Sequence, residues 1–165
     1  MLLAVLCFSI MVTEGAMADW SGVYLRGDLG ASAGLAATTF AAFAAGMTIG
    51  RLTGDALNRR LGPTRLLRAG SALAALSLGT VLLVGQPVVA LAGLVLVGIG
   101  VANGVPLLFS AAGHGDVATS GPSIAAVSSM GSIGFLVGPP FIGFLADATS
   151  PVSYTHLTLP TTPYV

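Results

Sequence analysis

Long hydrophobic runs that carry almost no charge dominate this chain and leave few folds open to it. Charged residues make up 7% of the 165 residues, 55% are hydrophobic, and the mean hydropathy is +0.94. A soluble domain carries about 25% charged residues, so this composition cannot supply a soluble surface. Six basic residues balance six acidic ones, and a net charge of zero predicts no electrostatic affinity for nucleic acid. We therefore expect an integral membrane protein in contact with the lipid bilayer.

The hydrophobic runs are long enough to cross a bilayer as helices, which takes about 20 residues each. They are rich in Ala, Leu and Gly and lack alternation at every second residue, so they favour helices over the strands of a membrane barrel. Charges and Pro/Gly clusters divide them at approximately 2–24, 29–57, 68–85, 88–112 and 123–146. The predicted fold is an all-α membrane bundle of five helices within residues 1–150.

Basic residues predict the orientation, because cytoplasmic loops retain arginine and lysine. Arg59, Arg60 and Arg65 lie between the second and third predicted helices, whereas Arg26 alone lies between the first and second. We expect the arginine-rich connection and the N-terminus in the cytoplasm. Trp20 then falls at the outer interface, where amphipathic rings are expected.

The pattern changes near Ser150. Residues 151–165 are polar and rich in threonine, and they resemble the translation of a transposase adaptor used in DNA sequencing libraries. We expect this tail to be a read-through artefact, the alternative being a genuine short polar tail.

Small residues recur at four-residue spacing, which lets membrane helices approach closely. This spacing reports association between helices rather than chemistry, and we expect these residues in helix contacts: Gly46, Gly50, Gly54, Gly100, Gly104, Gly134 and Gly138.

Glu14 follows an uncharged run and lies about 18 Å of helical rise before Arg26, near the bilayer midplane. A carboxylate facing lipid there costs at least about 2.5 kcal/mol, so we expect it to face the bundle interior or a watery cavity. It could bind a substrate hydroxyl or carry a proton. The alternative is that the helix is shifted along the membrane and Glu14 caps its outer end beside Asp19.

Two further features suggest moving parts. Arg51, Asp55 and Arg59 recur every four residues and form one charged ladder on a helix, either a cytoplasmic latch or arginines that reach lipid headgroups. Two predicted helices contain proline interruptions, which remove backbone hydrogen bonds and either line a cavity or only kink the helix. They are Asn103 to Pro106, where Asn103 would add a hydrogen-bonding side chain, and Gly138, Pro139 and Pro140.

Catalytic and metal sites lack their necessary residues. Ser32 lies in a Gly-x-Ser-x-Gly pattern without the strand, histidine and acid that a hydrolase needs. His114 and Asp116 are too few for a metal site. We expect neither an enzyme nor a bound cofactor.

These residues together resemble helices seven to eleven of a major facilitator superfamily transporter, most closely its sugar-permease-like branch. The likeness covers residues 1 to about 150 and rests on five segments: 14–20, 24–26, 50–55, 105–110 and 138–143. The cytoplasmic signature of the family also has counterparts in Arg60, Gly62 and Arg65, but Arg59 stands where its acid belongs. Asp55, one turn earlier, is the acid available.

The resemblance implies a bacterial inner-membrane protein of two six-helix halves that rock around a central site, often with proton coupling. The first half and the twelfth helix would be missing partners of this chain. The solute would be small and sugar-like, with Glu14 and Asn103 facing the cavity and Trp20 stacking on a substrate ring. Arg51, Asp55, Arg59 and Arg65 would lie near the cytoplasmic gate. The alternative function is a non-transporting membrane scaffold that binds partner helices.

Overall fold

In a computed structural model, which describes residues 1–114 and 117–149, five helical segments are long and apolar enough to cross a membrane. The predicted all-α membrane fold is confirmed. The predicted adaptor-like tail, residues 151–165, lies outside the described residues. The helices within them are α1 (Leu2–Gly27), α2 (Ala33–Ala37), α3 (Thr39–Leu61), α4 (Pro63–Val84), α5 (Pro87–Val101), α6 (Gly104–Gly113) and α7 (Val117–Thr149). The second span combines α2 and α3, and the fourth combines α5 and α6.

The connection between α3 and α4 is much shorter than the predicted loop, because its arginines belong to the helices. Arg59 and Arg60 lie in the last turn of α3, and Arg65 lies in the first turn of α4. Gly62 alone separates the two helices, with a φ of 77° that favours glycine. Pro63 then begins α4 at a position where its missing N–H breaks no helical hydrogen bond.

The two predicted interruptions differ in the structure. In the fourth span α5 ends at Val101 and α6 begins at Gly104, and Pro106 lies in the first turn of α6. In the fifth span α7 begins at Val117, six residues before the predicted start, and continues through Pro139 and Pro140. These prolines deprive two carbonyl groups of their helical donors without ending the helix.

Three helix pairs hold the bundle together: α1 with α7, α3 with α5, and α4 with α5. The glycines lie in these contacts as predicted. A Cβ atom added to Gly46 would overlap with the carbonyl of Val95 on α5, and one added to Gly134 would lie 2.5 Å from the backbone oxygen of Phe8 on α1. Any side chain at these positions would push the helices apart, so the predicted role of the glycine spacing in packing is confirmed.

Several hydroxyl groups in the spans form hydrogen bonds within their own helix. A hydroxyl in lipid needs a hydrogen-bond acceptor, and the carbonyl four residues earlier in the same helix supplies one. The side chains that donate in this way are Ser9, Thr13, Ser21, Thr48, Thr53 and Thr80. Ionisable side chains in the spans are harder to accommodate, because a charge in lipid costs more than a hydroxyl group.

Candidate functional site

Glu14 lies at the middle of α1, about 18 Å of helical rise from Leu2. Its side chain is half-buried. Within the described residues its carboxylate makes no hydrogen bond and no ion pair. A carboxylate without an ion pair at this depth is costly, which makes Glu14 a candidate functional residue.

The Glu14 side chain faces a cavity of about 400 Å³ between α1 and α3, which we call the α1–α3 cavity. One side is formed by α1, the longer side by α3, and α7 contributes an aromatic ring. Most of the lining is apolar, and the volume falls in the range of small-molecule sites. The lining residues are Glu14, Ala18, Phe40, Phe43, Ala44, Met47, Thr48, Arg51 and Phe135.

Arg51 lines the same cavity as Glu14. It precedes Leu61, the last residue of α3, by about 15 Å of helical rise, which is close to the depth of Glu14 along α1. Asp55, Arg59 and Arg65 lie nearer the arginine-rich end, and all three are exposed, as is Arg51. In the portion of the chain that the structure describes, Arg51 forms no ion pair with any acid. The structure thus groups Arg51 with Glu14, and a gating role for the other three stays a prediction.

Asn103 lies outside the α1–α3 cavity. Its Nδ2 atom donates a hydrogen bond of 2.9 Å to the backbone oxygen of Gly50 on α3. Gly54, one turn further on, has no side chain and leaves room for the Asn103 amide. The structure therefore connects the α5–α6 break to the turn of α3 that precedes Arg51, and does not bring Asn103 together with Glu14.

We expect Asn103→Leu to lower the stability of the protein by about 0.6 to 1.7 kcal/mol, the range measured for hydrogen bonds between membrane helices. Leucine has a similar volume but cannot donate to the Gly50 oxygen. Thermal unfolding of the detergent-solubilised protein measures the change. Gln86→Leu is the matched control, since Gln86 is an exposed amide in the α4–α5 turn. Equal melting temperatures for the two variants would contradict the role of this hydrogen bond.

Trp20 also lies away from the α1–α3 cavity. Its Nε1 atom donates a 3.1 Å hydrogen bond to the backbone oxygen of Pro139, and its ring lies against Gly143. The side chain is half-buried between α1 and α7. The structure thus gives Trp20 a packing contact with the proline-containing stretch of α7, and substrate stacking by this ring stays a prediction.

The aromatic part of the cavity was missed from the sequence. Phe40, Phe43 and Met47 precede Arg51 at intervals of three and four residues, which places all four on one helical face. That spacing is a usable signal. Phe135 comes from α7, and only the tertiary contact between α1 and α7 reveals its position.

Comparisons with known proteins agree with this architecture. The family model of the Major Facilitator Superfamily matches residues 2–159. An uncharacterised MFS-type transporter of Yersinia pestis is 38% identical over 150 residues, which is 91% of this chain and 39% of the relative. Membrane protein MosC of Rhizobium meliloti is 35% identical over 148 residues, covering 90% of this chain and 36% of that protein. An uncharacterised transporter of Sinorhizobium fredii is 34% identical over 137 residues, or 83% and 36%.

The chain spans less than two-fifths of the length of these curated relatives. No solved structure matches it significantly. The family consists of transporters rather than enzymes. The match to the family model over most of the sequence, together with five membrane-length helices, shows that this chain belongs to the major facilitator superfamily.

Proposed function

We propose that residues 1–150 belong to the second half of a secondary active transporter, which moves a small solute across the bacterial cytoplasmic membrane by alternating access. The observation that carries the proposal is the α1–α3 cavity, where Glu14 and Arg51 lie at similar depth and form no ion pair within the described residues. Membership in the superfamily and five of six expected spans support it. The first half of the transporter would close the open side of the cavity.

Glu14 is the proposed proton carrier. Its carboxylate can bind a proton when the cavity faces the side of high proton concentration and release it on the other side. Arg51 shares the cavity, so its positive charge lies near both Glu14 and a bound solute. Coupling then requires that the solute and the proton compete for Glu14, so that binding of one releases the other.

The proposed gate lies at the arginine-rich end of α3 and α4. Asp55 is one turn from both Arg51 and Arg59, and Arg65 begins the neighbouring helix, so an ion pair could form as the cytoplasmic side closes. In the described residues these groups are exposed and unpaired. The break at Asn103 to Pro106 and the proline pair in α7 would let their helices bend during the movement.

A scaffold without transport activity is the weaker alternative. A scaffold would need helix-binding faces but no charge inside the membrane. Glu14 and Arg51 have no use in such a protein, and the relatives from Yersinia pestis and Sinorhizobium fredii are described as transporters.

The test is solute-driven proton movement by the intact transporter in proteoliposomes that contain a pH-sensitive dye. We expect either glucose or L-leucine to change the internal pH when added outside, and the change to need the protein. Protein-free liposomes are the control. If neither solute, nor a wider panel of sugars and amino acids, moves protons or exchanges across the membrane, the transporter proposal is wrong.

A further inference from the structure

The residues that line the α1–α3 cavity restrict the kind of solute more narrowly than membership of the superfamily does. We propose that the cavity takes a small zwitterion with an ammonium group, a carboxylate group and an apolar body. This inference rests on the proposed function and differs from the sugar-like solute that the sequence resemblance implies.

Hydrogen-bond donors and acceptors are separated in this cavity. Arg51 offers N–H donors only, whereas the Glu14 carboxylate offers acceptors only. Thr48 also lines the cavity, but its hydroxyl already donates to the Ala44 carbonyl at 2.9 Å, which leaves its oxygen as an acceptor. A solute must therefore present an acceptor to Arg51 and donors to Glu14 and Thr48.

The charges of Glu14 and Arg51 restrict the charge of the solute. Glu14 and Arg51 do not form an ion pair with each other, because their carboxylate oxygens and guanidinium nitrogens do not come within 4.0 Å. An anionic solute would satisfy Arg51 and meet the Glu14 carboxylate, and a cationic solute would meet Arg51. A molecule that carries both charges satisfies both groups, and carboxylate and ammonium ends form charge-assisted hydrogen bonds with them.

The remaining walls argue against a sugar. Six of the nine lining residues are apolar: Ala18, Phe40, Phe43, Ala44, Met47 and Phe135. A sugar carries hydroxyl groups around its whole ring, and each hydroxyl buried without a partner costs about as much as a lost hydrogen bond. An aliphatic or aromatic side group instead gains contact with these walls. The lining therefore suits a solute that is charged at one end and apolar at the other.

The test is a matched ligand series on the intact transporter in lipid nanodiscs, with ligand-induced thermal stabilisation as the measurement. L-leucine carries both charges, leucinamide at about pH 6.5 carries only the ammonium group, and N-acetyl-leucine carries only the carboxylate. Glucose is the neutral comparison. We expect leucine to bind at least about tenfold more tightly than each of the other three, because each lacks a charge-assisted contact.

Two variants assign each charge to its partner. Arg51→Gln should remove the preference for leucine over leucinamide and keep its preference over N-acetyl-leucine. Glu14→Gln should do the reverse. Arg68→Gln and Asp19→Asn are matched controls, because both residues are exposed and neither lines the cavity. Loss of both preferences in one variant, with unliganded melting unchanged, would contradict the assignment.

The outcomes separate this inference from the proposed function. Tighter binding of glucose than of leucine, or no stabilisation by leucine, overturns the zwitterion inference. Proton movement driven by a sugar would leave the transporter proposal intact in that case. Absence of any solute-driven flux overturns the transporter proposal itself.

Discussion

Replacing Gly98 with leucine is expected to leave almost no folded protein in the membrane. A Cβ atom at this position of α5 would overlap with the Phe43 carbonyl and lie 2.9 Å from the backbone nitrogen of Met47 on α3. Both neighbours are backbone atoms in a helix and cannot rotate away. Overpacking by a few methyl or methylene groups costs about 1 to 3 kcal/mol each time, and a leucine adds four carbon atoms to this contact.

Gly79 provides the matched control. It lies in α4, and within the described residues no other helix comes within 4 Å of a Cβ atom added there, so Gly79→Leu places the same side chain in open space. The amount of monodisperse protein after detergent extraction measures the difference. We expect Gly79→Leu to resemble the unmodified protein and Gly98→Leu to be lost.

Alanine at Gly79 and Gly98 tests whether an added Cβ atom stabilises or destabilises the protein at each position. In a helix without crowding, alanine is more favourable than glycine by about 1 kcal/mol. We therefore expect Gly79→Ala to preserve or raise the melting temperature and Gly98→Ala to lower it. If Gly98→Ala were also stabilising, the close contact between α3 and α5 would be wrong.

The spans could be predicted from sequence because one property, hydropathy over about 20 residues, decides them in lipid. Their ends could not be predicted equally well. The basic residues predict Arg59, Arg60 and Arg65 in the connection between two helices, but a long side chain can reach headgroups from within a helix. Gly62 and Pro63 carried the better signal, since a glycine at positive φ followed by a proline at the first helical position ends one helix and begins the next.

Only part of the candidate site could be predicted from the sequence. Glu14 attracts attention by its depth alone, which follows from its position along one helix. The partner in its cavity depends on how α1 and α3 pack, and no local pattern contains that information. The sequence therefore predicts Arg51 in a gate with Asp55, the residue one turn away, and predicts Asn103 and Trp20 in one cavity with Glu14. In the structure both of these side chains donate hydrogen bonds to backbone carbonyls of other helices.

Substituting Glu14 with glutamine is expected to abolish proton-driven accumulation of the solute. Glutamine keeps the shape and can still form hydrogen bonds, but it cannot bind and release a proton. If one proton is exchanged for each solute, a gradient of one pH unit sustains about tenfold accumulation, because tenfold corresponds to about 1.4 kcal/mol. The variant should accumulate the solute to a ratio of about one under the same gradient.

A solute-exchange measurement distinguishes loss of proton coupling from a general loss of functional protein. Solute exchange without a pH gradient needs no net proton movement, so Glu14→Gln should continue to exchange a solute that it still binds. Asp19→Asn, which removes an exposed carboxylate from the same helix, should retain accumulation. Labelled solute is followed in proteoliposomes with and without the gradient. Because a carboxylate that only binds solute would impair exchange and accumulation together, selective loss of accumulation identifies Glu14 as the proton carrier, whereas equal loss of both contradicts that role.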